Sequence, residues 1–407
     1  MRGKQFTGFP ERTKALEDFF ALWEAKDAEE LVPLEEAIGR VTARALFSRN
    51  TLPVCRASAC DGIAVRSEQF RDGMPDYTKW KLREEYVRAD TGDDFDDRYD
   101  AVIPIEEVDI ENGKIVYISP DVPVRPGENV RQEGSNVRQG DPLIAENMPI
   151  RPTDLASLAT GGIMMVPVRK RPKVAFIPTG NELIPHNTVP ARGQNVDTNT
   201  LLVRESLKEL GAEPLIFPIT ADVPEALEER LDMALQDCDM VILNAGTAKG
   251  EDDWNARMLE RKGTLVHHYI AAAPGRPMAF AVIDGKPVVN MPGPTMASFF
   301  GCEWCISACV ARLLHIPARK REKVRARLME DIHSSPTMAI LMRMEVAETE
   351  DGYVCQERSF RESSLPVCMA SNAMYVSEVG ESFVPKGTML EVELLRGREF
   401  IEFRAMQ

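Results

Sequence analysis

The chain has 407 residues, enough for roughly two to four domains at about 150 residues each, which excludes a single small module. Its 49 basic and 64 acidic residues give a net charge of −15, which argues against general binding to nucleic acids or to acidic membrane surfaces. No apolar run approaches the roughly 18 residues needed to cross a bilayer, and 8 cysteines are too dilute for a disulfide scaffold. The N-terminus lacks the apolar core of a secretory signal, so we expect a cytoplasmic protein with reduced thiols.

The first predicted element is helical and covers residues 11–45. Apolar residues recur there at helical spacing, at Leu16, Phe19, Phe20, Trp23, Leu34, Ile38 and Val41. A short helix over residues 151–161 resumes the same pattern. We therefore predict a helical N-terminal segment, residues 1–50, that is completed by residues 141–168.

The intervening residues, from Pro53 to about Gly140, have the texture of β structure. Short apolar runs alternate there with turns rich in Asp, Gly and Pro, and the clearest runs cover residues 62–65, 101–105 and 114–118. Runs of this length between turn residues are typical of strands. The sequence therefore predicts an inserted β-rich domain over residues 51–140.

Residues 173–316 alternate between strand and helix signals. The predicted strands cover residues 173–177, 215–219, 240–243, 279–283 and 288–290. The predicted helices begin after Asp197 or Thr198, at Pro224, at Trp254 and at about Thr295. This alternation predicts a central, doubly wound, mostly parallel α/β domain over residues 169–318, with ligands at the loops that follow the carboxyl ends of the strands.

After Pro317 the apolar residues alternate with a period of two. The runs cover residues 324–328, 341–346, 374–376 and 389–394. This period predicts a small C-terminal β domain over residues 319–407. The predicted fold class is therefore multidomain α/β plus β, with a helical N-terminal segment.

Two loops combine glycine with a carboxylate. The first contains Asp61 followed by Gly62, ahead of a predicted strand. The second, Thr179–Leu183, follows the first strand of the α/β domain; its Gly180 allows close approach of a phosphate, and Glu182 suits Mg²⁺. Taken alone, each loop is also typical of an ordinary turn with a solvated carboxylate.

A third loop, residues 244–254, leaves a buried strand with small residues, Lys249 and three carboxylates. That composition suits a phosphate together with a hard cation such as Mg²⁺. Asp252 or Asp253 is equally suited to cap the helix that follows. Both interpretations stay open at the level of the sequence.

Two Pro-Gly turns, Ala273–Pro277 and Met291–Thr295, follow further strands of the α/β domain. Arg276 in the first turn offers a planar, permanently charged fork for an oxyanion. Rigid turns without any chemistry are the alternative for each turn taken singly.

Three cysteines, Cys302, Cys305 and Cys309, have a spacing that suggests a metal site. Their spacing of three and then four residues places them on one face of an apolar helix, so we predict buried structural thiols. His267 and His268 lie in a predicted strand and point to opposite faces. With 5 histidines in all, a histidine-rich metal site is not expected.

Taken together, these loops resemble those of the molybdopterin molybdenumtransferases, the MoeA and gephyrin E-domain family. The resemblance extends over nearly the whole chain, and its ordered motifs are Ser58–Arg66, Thr91-Gly92, Ala101–Pro104, Gly127–Arg131, Thr179–Leu183, Asp197–Asn199, Gly250–Asp253, Pro274–Pro277 and Pro292-Gly293. The resemblance implies an elongated homodimer of four-domain subunits with an active site in a cleft between them. It also implies a Mg²⁺-dependent enzyme that converts adenylylated molybdopterin and molybdate into molybdenum cofactor and AMP.

Individual roles carry over by position. The implied catalytic residues are Asp61, Glu182, Asp253 and Arg276, of which the three carboxylates would hold Mg²⁺. Asp61 and Thr91 would come from one protomer and the other three from its partner. The residues implied to bind substrate are Thr91, Gly180, Gly246, Lys249, Pro274, Gly275, Arg343 and Ser363, with Ser364 as an alternative to Ser363.

Three departures from the family pattern fall in this site, and the first two of them change its charge. Asn181 stands where the family usually has Asp, Ala273 where it has Lys, and Pro294 where it has the Asn of Pro-Gly-Asn-Pro. The leading interpretation is an active molybdenumtransferase, and the alternative is an impaired paralogue that binds, carries or scaffolds the pterin nucleotide. Beyond the substrates and a second copy, a client molybdenum enzyme or an upstream adenylyltransferase is a candidate partner.

Overall fold

The computed structural model describes residues 8–244, 254–358 and 364–403. The chain forms two compact units, one of residues 28–169 and one that combines residues 1–27 with residues 170–407. The smaller unit is thus an insertion, which the chain enters after Asp27 and leaves at Lys170.

The N-terminal segment is much less helical than the sequence predicts. Its one long helix, α1 (Arg12–Phe20), has nine residues, and the buried ring of Phe19 lies 5.3 Å from that of Phe280 in the larger unit. The helix predicted beyond Phe20 is wrong. Residues 29–33 instead pair with residues 165–169 as antiparallel strands, since Pro33 has no N–H for a helical hydrogen bond.

The smaller unit is built mainly from short antiparallel strands. These are β1 (Glu29–Pro33), β2 (Leu46–Phe47), β3 (Ala57–Ser58), β4 (Gly62–Val65), β5 (Tyr86–Ala89), β6 (Ala101–Pro104), β7 (Val108–Glu111), β8 (Lys114–Ile118), β9 (Val130–Arg131), β10 (Pro142–Ile144) and β11 (Met165–Arg169), joined by helix α2 (Pro152–Thr160). Strands β5, β4 and β6 form a three-stranded sheet, and the others pair as β1–β11, β2–β10, β3–β9 and β7–β8. Ile63, Tyr86 and Ile103 fill the core of this sheet. The strands predicted in this region and the helix predicted over 151–161 are confirmed.

The α/β part of the larger unit contains nine strands, five α-helices and one π-helical turn among its described residues. The strands are β12 (Lys173–Pro178), β13 (Leu183–Ile184), β14 (Asn195–Val196), β15 (Glu213–Ile216), β16 (Met240–Asn244), β17 (Thr264–His268), β18 (Ala272–Ala273), β19 (Ala279–Ile283) and β20 (Lys286–Met291). The helices are α3 (Asn199–Glu209), α4 (Pro224–Asp237), α5 (Trp254–Lys262), α6 (Thr295–Gly301) and α7 (Ser307–Leu313), and a π-helical turn, Cys302–Ile306, joins the last two.

The central sheet has the strand order β15-β12-β16-β20-β19-β17. The first four strands are parallel, whereas β19 and β17 run antiparallel to their neighbours. Apolar side chains of β12 and β16 pack against α4 and α5, while α3 contacts the sheet and α6. The predicted fold class, with a doubly wound and mostly parallel sheet, is confirmed. The carboxyl ends of the four parallel strands therefore share one edge, and the loops that begin at Thr179, Asn244 and Met291 follow three of these strands.

The C-terminal part is a closed β structure. Its elements are β21 (Lys323–Leu328), β22 (Ile332–His333), β23 (Ala339–Thr349), β24 (Gly352–Glu357), α8 (Leu365–Ala370), β25 (Ala373–Val376), β26 (Phe383–Val384) and β27 (Met389–Leu394). Strands β23, β24, β21, β27 and β25 pair in that order, and β25 returns to β23, which closes the ring. Strand β18 adds to the edge of β23 and links the ring to the α/β part.

One helical run in the described residues, Thr295–Leu313, has the length and composition of a membrane span, with a mean hydropathy of 1.2 over its most apolar window. In the structure 67% of that window is buried, and Phe300, Cys305 and Val310 are almost inaccessible. The expectation that no apolar run approaches this length is corrected. The run packs as a core helix of the α/β part.

Candidate active site

Asp61 and Thr91 form a hydrogen-bonded pair in the smaller unit. Asp61 precedes β4 and Thr91 follows β5, and the antiparallel pairing of these strands brings the two residues together. Asp61 Oδ1 accepts hydrogen bonds from the backbone N–H of Thr91 at 2.7 Å and from its Oγ1 at 2.8 Å. The backbone bond, and then the side-chain bond, holds the pKa of Asp61 below its ordinary value. The structure therefore keeps this exposed carboxylate ionised.

Strand β4, which begins directly after Asp61, requires glycine at its first position. A Cβ on Gly62 would lie 2.0 Å from the carbonyl oxygen of Ile103 in β6. Only a residue without a side chain lets β4 approach β6 this closely. The Asp61-Gly62 dipeptide is thus more than a generic turn, because its glycine sets the close strand contact beside the carboxylate.

The loop after β12 presents Glu182 at the carboxyl edge of the parallel sheet. Thr179 is buried, and its N–H donates to the Asn244 carbonyl at 3.1 Å. A Cβ on Gly180 would lie 2.9 Å from a carboxylate oxygen of Glu182. The absence of a side chain at Gly180 therefore makes room for the Glu182 carboxylate over the loop. Glu182 is exposed to solvent.

A second carboxylate, Asp222, lies near Glu182. Its backbone N–H donates to Asn181 Oδ1 at 3.1 Å, which joins the loop after β15 to the loop after β12. Desolvation, and then the negative charge of Glu182, raise the pKa of Asp222. Two acidic side chains that repel each other at a strand edge gain stability when a cation binds between them.

The first Pro-Gly turn is fixed on both sides. Gly275 has φ +110°, a conformation that favours glycine, and its carbonyl accepts the N–H of Met278 at 3.1 Å. The Arg276 carbonyl accepts the N–H of Ile270 at 2.9 Å, and the residue is half-buried. The turn between β18 and β19 therefore holds Arg276 on a rigid support.

The second Pro-Gly turn is bound to the end of β16 by side chains. Asn244 Nδ2 donates to the Pro292 carbonyl at 2.9 Å, and Asn199 Nδ2 donates to the Gly293 carbonyl at 2.6 Å. Ser298 Oγ also donates to the Pro292 carbonyl at 2.9 Å. A buried polar network therefore connects the loops at the edge of the sheet where ligands bind in this class of fold.

Several predicted site residues lie outside the described residues, namely Gly246, Lys249, Asp253 and Ser363. In residues 8–244, 254–358 and 364–403, no three His, Cys, Asp or Glu side chains group as they would around a metal ion. The Mg²⁺ site, whose third carboxylate is Asp253, therefore stays a prediction.

Two family models match the chain, and together they cover more than half of it. The MoeA N-terminal region (domain I and II) matches residues 11–162, and the "Probable molybdopterin binding domain" matches residues 175–312. The chain belongs to the MoeA family.

Individual MoeA relatives extend this match to the C-terminal part. The molybdopterin molybdenumtransferase of Haemophilus influenzae is 29% identical over 297 residues, covering 70% of this chain and 72% of its own length. The Staphylococcus epidermidis enzyme of the same name is 25% identical over 389 residues, covering 91% and 92%. The solved structure of a molybdopterin biosynthesis MoeA protein from Pyrococcus horikoshii covers 96% of this chain and 100% of its own, with a TM-score of 0.80 and 25% identity.

Arg343 has a structural role in this MoeA family member. It is 5% exposed, its Nε donates to the Cys368 carbonyl at 3.0 Å, and its Nη2 donates to the carbonyls of Met369 at 2.7 Å and Ser371 at 2.5 Å. Its guanidinium carbon also lies 4.6 Å from the centre of the Phe299 ring. Burial lowers the pKa of Arg343 to about 10, so the group is still charged at neutral pH. The donors of Arg343 therefore fix the end of α8, and its implied contact with molybdate stays a prediction.

The three helical cysteines are buried, as the sequence predicts. Burial raises the pKa of Cys302 to about 12 and that of Cys305 well above its ordinary value. Because only the thiolate is a good metal ligand, neutral buried thiols fit a structural role. Their freedom from bound metal stays a prediction.

The sequence does not single out Asp222, Asn199 or Asn244 as site residues of this MoeA chain. Asn244 ends a predicted buried strand, and Asn199 lies in one of the family-like motifs, so both positions carried a signal. Asp222 lies two residues before the proline that begins α4. Carboxylates are common in surface loops, so its residue type gave no signal. Only the parallel sheet brings these three residues to one edge.

Proposed function

We propose that this chain is a molybdopterin molybdenumtransferase of molybdenum cofactor biosynthesis. In the proposed reaction it takes adenylylated molybdopterin and molybdate as substrates and releases molybdenum cofactor and AMP. Relatives of that name match most of the chain, and its own acidic and basic groups suit the chemistry. The observation that carries the proposal most directly is the loop edge of the parallel sheet, where Glu182 and Asp222 lie together.

We infer that Mg²⁺ is the resident cation. Bound at this edge, Mg²⁺ would offset the charge of the pyrophosphate in the substrate. Glu182 and Asp222 offer the hard carboxylate oxygens that this ion prefers. Desolvation first, and then the negative charge of Glu182, raise the pKa of Asp222, and a bound cation would relieve the second of these effects. Asp253 and Asp61 would complete the set of ligands.

The remaining groups bind and orient the two anionic substrates. Arg276 offers a permanent positive charge for an oxyanion of molybdate or phosphate. Thr91 fixes the orientation of the Asp61 carboxylate through two hydrogen bonds. No protein nucleophile is required: a molybdate oxygen would attack the phosphorus of the adenylyl group and break its P–O bond to the molybdopterin phosphate. AMP would then leave, with the bridging oxygen, when molybdenum passes to molybdopterin.

We further propose a homodimer in the cytoplasm, with Asp61 and Thr91 of one protomer completing the site of its partner. Mixing Asp61→Ala subunits with Glu182→Ala subunits should then restore activity, because each heterodimer regains an intact site. Inactive heterodimers of verified composition would contradict the shared site. A monomeric mass at micromolar concentration would contradict the dimer itself.

The second candidate function is a carrier or scaffold that binds the pterin nucleotide without turnover. The structure offers one observation in its favour, because Asn181 uses its Oδ1 on the backbone of Asp222 and brings no negative charge. In that case the protein would bind adenylylated molybdopterin and leave it uncleaved. The remaining carboxylates favour the transferase, since a scaffold does not need cation-competent groups at the same edge.

The test compares Glu182→Gln with a matched control, Glu213→Gln. Glu213 is an exposed glutamate at the amino end of β15, the opposite edge of the same sheet. We expect Glu182→Gln to lower kcat/KM for cofactor formation about tenfold or more and to raise the Mg²⁺ concentration required, whereas the control stays within about twofold. Equal behaviour of the two variants would contradict a role for Glu182 in the reaction.

A further inference from the structure

Asn244, the last residue of β16, connects several elements through one buried side chain. It is 3% exposed. Its Oδ1 accepts from Asn199 Nδ2 at 2.9 Å, and its Nδ2 donates to the Pro292 carbonyl at 2.9 Å. Longer contacts of 3.3 Å lead from Nδ2 to the Met291 carbonyl and to Ser298 Oγ. This amide therefore touches the end of β20, the start of α3 and the first turn of α6.

Asn199 extends the same connection to the next residue of the turn. It is 7% exposed, and its Nδ2 donates both to Asn244 Oδ1 at 2.9 Å and to the Gly293 carbonyl at 2.6 Å. Next to it, Thr198 Oγ1 and Thr295 Oγ1 are 2.8 Å apart. Two successive turn carbonyls, those of Pro292 and Gly293, thus receive donors from a pair of asparagine side chains.

The backbone of Asn244 joins a further loop to this arrangement. Its carbonyl accepts from Thr179 N–H at 3.1 Å and from Thr179 Oγ1 at 3.3 Å. Thr179 begins the loop that carries Gly180 and Glu182. Asn244 therefore contacts both the Glu182 loop and the Pro292-Gly293 turn.

We propose that Asn244 and Asn199 are positioning residues that hold the Pro292-Gly293 turn in place for the pterin nucleotide substrate. This inference rests on the proposed function, in which the strand-end loops bind that substrate. Residue 294 of this chain is a proline, which has neither a side-chain amide nor a backbone N–H to fix the turn from within. The asparagine pair supplies donors to the turn from two neighbouring elements instead.

If Asn244 only filled space in the core, its replacement would affect the protein in the same way as replacement of another buried asparagine. Asn290 provides that control. Asn290 lies in β20, is 1% exposed, and its Oδ1 has no hydrogen-bond partner among the described residues. Asn290→Ala and Asn244→Ala therefore each remove a buried asparagine side chain, from the neighbouring strands β20 and β16. Only the second removes hydrogen bonds to the turn, after which the Pro292 carbonyl keeps only the donor from Ser298 Oγ.

The first measurement needs no ligand. Hydrogen exchange of residues 291–300 is compared in the wild-type protein, Asn244→Ala, Asn199→Ala and Asn290→Ala. We expect faster exchange in the first two variants and wild-type exchange in Asn290→Ala. If Asn244→Ala and Asn290→Ala exchange alike in this segment, the pair does not hold the turn and the inference is overturned.

The second measurement uses adenylylated molybdopterin at fixed Mg²⁺. We expect Asn244→Ala to raise its Kd about tenfold, with kcat at saturating substrate changed much less, because positioning affects binding before chemistry. Asn244→Asp should behave like Asn244→Ala, since it keeps the acceptor for Asn199 but loses the donor to Pro292. A Kd for Asn244→Ala within about twofold of that of Asn290→Ala overturns the inference. Failure of the wild-type protein to bind this nucleotide would instead overturn the proposed function, and the exchange data would still report on the turn.

Discussion

Replacement of Arg343 by methionine is expected to destabilise the C-terminal β part strongly and to leave molybdate binding intact. Methionine retains much of the length and apolar contact of the arginine stem but has no donor. The replacement leaves the carbonyls of Cys368, Met369 and Ser371 without the hydrogen bonds that they now receive at 3.0, 2.7 and 2.5 Å.

The size of the effect follows from how many of these carbonyls are buried. The bonds to Cys368 and Ser371 are buried, whereas that to Met369 is partly buried. Leaving a buried acceptor unsatisfied costs about 1–3 kcal/mol, so two of them give a loss of about 2–6 kcal/mol in the free energy of unfolding. Loss of the stacking on Phe299 adds to this in the same direction.

Urea unfolding of the C-terminal part, followed by circular dichroism, measures this loss. The matched control is Arg325→Met, because Arg325 lies on β21 of the same β structure and is exposed, and surface replacements usually change stability by less than about 0.5 kcal/mol. Unchanged unfolding of Arg343→Met, together with a large rise in the KM for molybdate, would refute the structural role and return Arg343 to the substrate site.

Three further predictions follow from the site. Thr91→Val removes the side-chain bond to Asp61 and should raise the pKa of Asp61 toward its ordinary value of about 3.9, as measured by NMR titration. A lowered carboxyl pKa stabilises the folded protein at pH values above the ordinary pKa of the carboxyl group, and this stability is lost as the pH falls through the folded-state pKa. Thr91→Val should therefore lose less stability on acidification than the wild-type protein. An unchanged pKa of Asp61 would contradict the pairing with Thr91. Ala273→Lys should return an ammonium beside Arg276 and raise apparent molybdate affinity about tenfold in titrations of AMP release, and unchanged affinity would show that this turn does not face molybdate. Protein purified without chelator should carry no stoichiometric zinc or iron, and a bound equivalent lost in Cys305→Ser would contradict the structural interpretation of that thiol.

Local periodicity was sufficient to predict most of the fold. The alternation of strands and helices over residues 173–316 predicts the central sheet, because each buried parallel strand is a short apolar run bounded by turn residues. Periodicity gave the wrong prediction over residues 21–45, where apolar residues at helical spacing belong to strands and turns. Pro33 and the antiparallel partner at residues 165–169 decide that region, and a partner distant in the sequence leaves no local signal.

The candidate site was predictable from the sequence only where a single loop contains both a glycine and a charged side chain. Asp61 and Glu182 stand out because a carboxylate follows or precedes a glycine at a strand end. The contact between Asn199 and Asn244 joins residues 45 positions apart and arises only when parallel strands align their ends. Arg343 was assigned to molybdate only through the resemblance to the family, and no local pattern in the sequence indicates its hydrogen bonds to the carbonyls at the end of α8.

The most direct test of the account follows the wild-type protein with adenylylated molybdopterin, Mg²⁺ and molybdate. AMP and molybdenum cofactor are measured in the same reaction, the cofactor by reconstitution of a molybdenum enzyme that lacks it. The account predicts that both products appear in equal amounts and only when molybdate is present. Adenylylated molybdopterin that stays bound and intact would contradict the transferase and identify the protein as a carrier.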